Sequence, residues 1–318
     1  MSRPIFLLSL PRSGSTLLQR LLLAEGRCAT LGEPSLLLRF LGDDEVLQRR
    51  ATYWESLLEV AQKDMRKEWS GYDAAYQRGV RDLVQRIYDG LAGDREWFLD
   101  KTPRYTLIAE ELIQTFPEAK FIVLWRHPLA VASSMCATYR EGRWCPDEFG
   151  IDLFEGMNRL RRFVQVHGDS VCELRYEDLV ENPARELKRL GDYLGWESLE
   201  TVAEVELPTT AGGTLGDSTG VKQYASVSSK SRDAWRSKVD NWYRVRWCRR
   251  YWQGERAKHF EGLGYEMPSD LRGGGLLSGL LDWLAASWRI RRRITQPTWL
   301  RRHARSFRRR HGFGVLFR

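Results

Sequence analysis

The 318 residues suffice for one large domain or two small ones, and 42% hydrophobic with 29% charged residues is ordinary for a soluble globular chain. Five cysteines (Cys28, Cys136, Cys145, Cys172 and Cys248) stand far apart without a CxxC, which argues against a zinc site and against a disulfide scaffold. The net charge of +8 is uneven: residues 271–318 hold 12 arginines, no lysine and one acid (Asp282), a sum of +11, leaving −3 for residues 1–270.

Residues 5–10 (Ile-Phe-Leu-Leu-Ser-Leu) predict a short buried strand, and residues 16–24 the helix that it feeds. The apolar run imitates an export signal, but Pro11-Arg12 cut it and no small-residue cleavage site follows, so a cytoplasmic protein is expected. Between strand and helix lies Pro11-Arg12-Ser13-Gly14-Ser15-Thr16. A tight turn in that position aims backbone N–H groups and the positive helix end at one point, where an anion sits. Gly14 permits close approach, Ser13, Ser15 and Thr16 add hydroxyl donors, and Arg12 adds a cationic fork. The bland alternative is a serine-capped helix with Arg12 in solvent. The Gly-Lys-Ser/Thr ending of a nucleotide triphosphatase is missing, and no aspartate is evident for magnesium, which counts against an ATP-dependent kinase.

Residues 41–90 have helical period without strand signals and read as a helical insertion near the active face. Residues 97–100 predict a strand and 105–115 a helix. Residues 120–125 (Lys-Phe-Ile-Val-Leu-Trp) form the clearest strand, its continuous apolar run suiting a central parallel position, with a helix through 131–139. Residues 170–175 predict a further strand and 183–194 a helix with Pro183 in its first turn. Residues 209–230 read as a loop, and residues 235–260 as one aromatic-rich closing helix. The alternation implies an α/β fold with a central, mostly parallel sheet flanked by helices. Arg126, at a strand end, and Ser134, on the next helix, supply a second anion site. Two such sites at the carboxyl ends of parallel strands suit a nucleotide phosphorylated at both ends.

These segments together resemble the sulfotransferase family, which uses 3′-phosphoadenosine 5′-phosphosulfate (PAPS). The resemblance rests on the opening loop, on Arg126 and Ser134 eight residues apart, on Asp100-Lys101-Thr102-Pro103, on Arg175-Tyr176-Glu177-Asp178-Leu179 and on the late segment 228–235. It covers most of residues 4–265 and implies the P-loop nucleoside-kinase-like architecture, here with a domain at 1–270 and a basic extension at 271–318. It also implies that Arg12, Ser13, Gly14, Ser15, Thr16 and Leu17 hold the phosphosulfate and that Arg126 and Ser134 hold the 3′-phosphate. Ser228, Lys230 and Arg232 would belong to a loop over the nucleotide, although a solvated charged loop reads the same way. No metal is expected.

The implied reaction is in-line attack by a hydroxyl, phenol or amine acceptor on sulfur, with Arg12 and Lys101 stabilising the charge on the leaving phosphate. Pro103 stands where the cytosolic branch places its histidine base, while Glu33 matches the glutamate of the protein-tyrosine branch. Burial can raise a carboxyl pKa toward the range useful for proton abstraction. The alternatives are that Glu33 pairs with an arginine such as Arg39, and Lys101 with Asp100. Glu177 and Asp178 read as a structural turn holding Arg175. The acceptor is a small molecule, a carbohydrate or a lipid.

In the extension, after Gly273-Gly274-Gly275, Leu277, Leu280, Leu281, Leu284 and Trp288 recur at helical spacing. The run is shorter than the ~20 residues that span a bilayer. Leucine and tryptophan followed by arginine clusters suit a helix lying peripherally on an anionic membrane. Nucleic acid, an acidic partner and a plain solvated extension are the alternatives, with nucleic acid disfavoured.

Overall fold

Strand β1 (Arg3–Ser9) begins the fold, and its Ile5, Phe6, Leu7 and Leu8 have no exposed surface. A strand so apolar on both faces must lie inside a sheet covered on both sides. The computed structural model describes residues 1–42, 53–208, 227–271 and 273–294, with the side chains of 53–60, 230 and 288–294 outside that description. After β1 come helix α1 (Ser15–Glu25), the three-residue strand β2 (Cys28–Thr30) and the short helix α2 (Leu36–Leu41). Two helices, α3 (Tyr53–Glu68) and α4 (Tyr72–Ala92), occupy much of the expected helical insertion. Strand β3 (Trp97–Asp100) leads into a 3-10 turn (Pro103–Leu107), helix α5 (Ala109–Thr115) and strand β4 (Lys120–Trp125).

Helix α6 (Pro128–Tyr139) follows, then a π turn (Ile151–Gly156) opening helix α7 (Met157–His167), and strand β5 (Val171–Arg175). Helices α8 (Tyr176–Glu181) and α9 (Pro183–Leu194) come next; Asn182 caps α9 by accepting from the Arg185 N–H. The late helices are α10 (Trp242–Tyr251), α11 (Glu255–Gly262) and α12 (Leu276–Ile294).

Among the described residues, the five strands run in the order β2-β3-β1-β4-β5, every pair parallel. Alternation along β1 divides the core. Ile5 and Leu7 pack with Leu18, Leu21 and Leu22 of α1 and Leu187 and Leu190 of α9. Phe6 points the opposite way, its ring centroid 5.4 to 6.4 Å from those of Phe116, Phe121, Tyr105 and Tyr88. Burying each such side chain stabilises by roughly 1.5–3 kcal/mol, so an inward-facing polar residue on β1 would be costly.

The parallel α/β architecture agrees with the sequence expectation, and three details differ. Strand β2 was not anticipated, since three residues carry no readable alternation. The helix expected over 105–115 is a 3-10 turn and α5, divided at Ile108 (φ −130°). The single closing helix expected over 235–260 is instead a 3-10 turn (Arg236–Lys238), α10 and α11. Asn241 there leaves helical geometry to cap α10, accepting from the N–H groups of Tyr243 and Arg244, and Gly254 (φ +62°) separates α10 from α11.

The chain divides into two compact units: residues 1–127 with 151–232, and residues 128–150 with 233–318. The sheet belongs to the first. In the second, Trp247 donates to Asp147 at 2.9 Å, stacks on Tyr251 and meets Trp144 edge-on. All five cysteines are buried free thiols. No helix among the described residues is long and apolar enough to cross a membrane.

Candidate active site

Each strand of the sheet places one chemically capable residue within three positions of its carboxyl end. They are Arg12 after β1, Glu33 after β2, Lys101 after β3, Arg126 after β4 and Tyr176 after β5. Parallel strands end on one edge, so these five residues share one rim.

The loop after β1 has the geometry of an anion nest. Arg12 has φ +67° and Gly14 φ +90°, so left-handed backbone occurs twice in three residues. Such a conformation costs a non-glycine residue roughly 1–2 kcal/mol, and strain of this kind gathers at functional sites. Helix α1 begins at Ser15, so its first N–H groups point out of the helix toward this loop. Ser13 and Ser15 are buried, while Arg12, Thr16 and Leu17 are half-buried. Gly14 meets a second demand: a Cβ there would come within 2.3 Å of the Tyr176 ring.

Arg126 ties this loop to two distant segments. Its guanidinium donates to the Arg12 carbonyl at 2.8 Å and to the Ser231 carbonyl at 2.8 Å, and lies 4.5 Å from the centre of the Tyr176 ring. The Tyr176 hydroxyl is 2.5 Å from Ser231 Oγ. The Arg126 guanidinium, the Tyr176 and Ser231 hydroxyls and the backbone of Arg12 and Gly14 thus form one cluster. Tyr176 enters the sequence reading only within the segment 175–179, beside the structural turn of Glu177 and Asp178, and is given no role of its own there. Its neighbours do fill that structural role: Glu177 accepts from the His127 N–H at 2.9 Å, and Asp178 lies 3.7 Å from Arg175.

The other residues expected to contact the donor lie on later segments. Arg232 pairs with Glu181 of α8 at 2.9 Å, Ser228 is half-buried beside the 3-10 turn Ser229–Ser231, and the side chain of Lys230 lies outside the described residues. Ser134 lies on α6, in the second compact unit. Most of the loop expected over 209–230 is outside the described residues.

The second cluster joins the ends of β2 and β3. Lys101 Nζ donates to Glu33 Oε1 at 3.0 Å, with the lysine side chain 1% exposed and the glutamate 26%. Lys101 therefore makes its ion pair with Glu33, while the oxygens of neighbouring Asp100 accept from Tyr88 (2.6 Å), Tyr105 (2.9 Å) and Thr102 (3.0 Å). Burial pushes the Asp100 carboxyl up to about 6 against the lowering effect of these three bonds. Burial and the adjacent Asp100 carboxyl hold Tyr88 and Tyr105 well above the usual phenol range.

This network also carries the segment bearing Glu33. The Ser35 N–H donates to Thr102 Oγ1 at 3.1 Å and the Leu37 N–H to the Tyr105 hydroxyl at 3.1 Å. From the other side, Gln19 of α1 donates to Thr30 Oγ1 at 2.7 Å and to the Leu31 carbonyl at 3.0 Å. Glu33 is thus held before and behind by hydrogen bonds that are buried or partly buried. None of Gln19, Tyr88 or Tyr105 carries a motif; only their burial in the fold identifies them.

A partly exposed carboxylate touching a buried ammonium, just past the ends of strands in the sheet that also carries a phosphate-type loop, can accept a proton and steady a developing negative charge. The sequence profile of the Sulfotransferase family matches residues 4–200. The nodulation protein NoeE of Sinorhizobium fredii is 30% identical over 263 residues, which cover 74% of this chain and 60% of that protein. The Mycobacterium bovis protein Stf3, an omega-hydroxy-beta-dihydromenaquinone-9 sulfotransferase, is 30% identical over 139 residues, 39% of this chain and 34% of that one. The chain thus spans less than two thirds of the length of either relative. Among solved structures, the sulfotransferase domain from the curacin biosynthetic pathway superimposes with a TM-score of 0.56 at 25% identity, covering 84% of this chain and 99% of the domain. That of the Synechococcus PCC 7002 olefin synthase gives 0.54 at 26%, covering 84% and 96%.

Proposed function

The chain belongs to the sulfotransferase family, and from that premise we propose that it moves a sulfuryl group from PAPS to a hydroxyl acceptor by in-line displacement. The observation that carries this reading is the contact of Glu33 with Lys101 at the ends of β2 and β3. The donor is supported by the strained loop 10–14, which suits its phosphosulfate, and by Arg126, which suits its second phosphate.

In this reading the Glu33 carboxylate orients the acceptor hydroxyl and takes its proton as the oxygen attacks sulfur. The bond from sulfur to the bridging phosphate oxygen breaks, and adenosine 3′,5′-bisphosphate leaves. Lys101, Arg12 and the first N–H groups of α1 stabilise the charge gathering on that bridging oxygen. The Tyr176 ring and the Ser231 carbonyl keep the Arg126 guanidinium oriented. The acceptor is a small molecule, a carbohydrate or a lipid; the name of the mycobacterial relative, a sulfotransferase of a hydroxylated menaquinone, supports the lipid class.

Thermal unfolding with added adenosine 3′,5′-bisphosphate or Mg-ATP tests the donor. The bisphosphate at about 100 times its Kd stabilises by about 2.7 kcal/mol; stabilisation by Mg-ATP alone would sink the reading. Transfer of labelled sulfate from PAPS into a cell extract then identifies the acceptor fraction.

A further inference from the structure

Helix α12 docks onto its own unit by its polar side. Asp282, the only acid after residue 270, accepts from Asn241 Nδ2 at 3.0 Å and from Arg244 Nε at 2.7 Å. One turn earlier Gly279 lies against Trp242, so closely that a Cβ would come within 2.3 Å of the indole nitrogen. The Trp242 N–H also donates to the Gly274 carbonyl at 3.2 Å. Residues 279 and 282 are three apart and share a face. The opposite face carries Leu277, Leu281 and Leu284, with Leu276, Leu280 and Trp283 at its margins. It stands outward: Leu276 is 82% exposed, Leu277 72% and Leu281 60%. An ordinary surface helix has the reverse arrangement.

We propose that this outward leucine face is a docking surface for an anionic lipid bilayer, with α12 lying in the plane of the interface. Three observations select that occupant. In the sequence, residues 289–318 hold 11 arginines and no acid, a basic stretch whose charge complements anionic headgroups. The stretch before the first of these arginines, residues 276–288, is about 20 Å long as a helix, against roughly 30 Å of hydrocarbon, so it lies on a membrane and does not span it. Trp283 stands at the margin of the leucine face, and tryptophan is favoured at headgroup depth. Nucleic acid would use the arginines and leave the leucines without a role.

The proposal stands on the second unit alone and does not depend on sulfuryl transfer. It is tested by sedimenting the full chain with vesicles of phosphatidylcholine, alone or with about 30 mol% phosphatidylglycerol. Binding should require the anionic lipid and should fall at least tenfold when salt is raised from about 0.1 M to about 1 M, which shortens the screening length from about 10 to about 3 Å. The double variant Leu277→Ser/Leu281→Ser should unfold at the wild-type temperature, since both side chains are exposed, and should bind the anionic vesicles at least tenfold more weakly. Equal binding to both vesicle types, or none, overturns the proposal. So does salt-sensitive binding that the leucine variant retains in full, because the arginines would then act alone. A dimer in light scattering that the leucine variant abolishes, without vesicle binding, assigns the face to a second copy.

Discussion

Lys101 and Glu33 are 68 residues apart in the chain and 3.0 Å apart in space, an ammonium almost without exposed surface touching a carboxylate that a quarter of its area opens to solvent. A buried lysine keeps its charge only beside a compensating partner, and the open edge of the glutamate leaves it accessible to an acceptor. The pair is thus both a structural fastening and the proposed reaction centre.

Glu33→Gln keeps a carbonyl oxygen near Lys101 and removes the base. Turnover should fall by roughly 10²–10⁴, while the Kd for adenosine 3′,5′-bisphosphate stays within about twofold, or ~0.4 kcal/mol. Lys101→Ala should lower kcat as well, and the double variant should lose less than the sum of the two, as contacting residues do. Steady-state kinetics with a bisphosphate titration reads both. Additive losses would mean that the two groups act separately.

Arg126→Lys tests the fork. Arginine reaches the Arg12 and Ser231 carbonyls at once and lies against Tyr176, whereas lysine offers one point charge and no planar face. Bisphosphate affinity should drop about tenfold or more, roughly 1.4 kcal/mol. Tyr176→Phe, which keeps the ring and loses only its bond to Ser231, should drop less. Equal losses in calorimetric titration would refute the role given to the ring.

Gly14→Ala adds a methyl group where φ is +90° and Tyr176 stands in the way. Thermal unfolding should show about 1–3 kcal/mol of lost stability. Adding Tyr176→Ala to it clears the steric clash but leaves the strained φ, so the double variant should recover only part of what the alanine adds to the cost.

Asp100 predicts a pH dependence. Its carboxyl is raised by burial from an ordinary value of 3.8 to about 6, so the native state holds a proton that the unfolded chain has lost. Stability should therefore fall as pH rises from about 4 to about 6 and level off above, by about 3 kcal/mol at 1.36 kcal/mol per unit. In Asp100→Asn, which keeps an acceptor for Tyr88 and Tyr105, that slope should vanish. Urea unfolding at pH 4, 5, 6 and 7 checks it; an unchanged slope would place the titration elsewhere.

Much of the sheet was legible because β1, β3 and β4 are continuous apolar runs, and the phosphate loop because its turn residues are consecutive. Arg126 was legible as a charge at the end of the strongest strand. By contrast, the segment 175–179 gives Tyr176 no role by itself; it matters because β5 lies beside β4, which brings its ring against Arg126 and Gly14. Gln19, Tyr88 and Tyr105 looked like ordinary helix and turn residues until burial made their polar atoms costly to leave unsatisfied.

By itself the amino-acid order determined the local pieces: buried strands, the helices between them, a loop shaped for phosphate, and a late helix with one leucine face. These depend on interactions between residues a few positions apart. Tertiary structure alone decided that Glu33 finds Lys101, because β2 and β3 are neighbours in the sheet, and that α12 turns its acid inward and its leucines out. Periodicity reports that a helix has two faces, but which face is covered depends on the partner it meets.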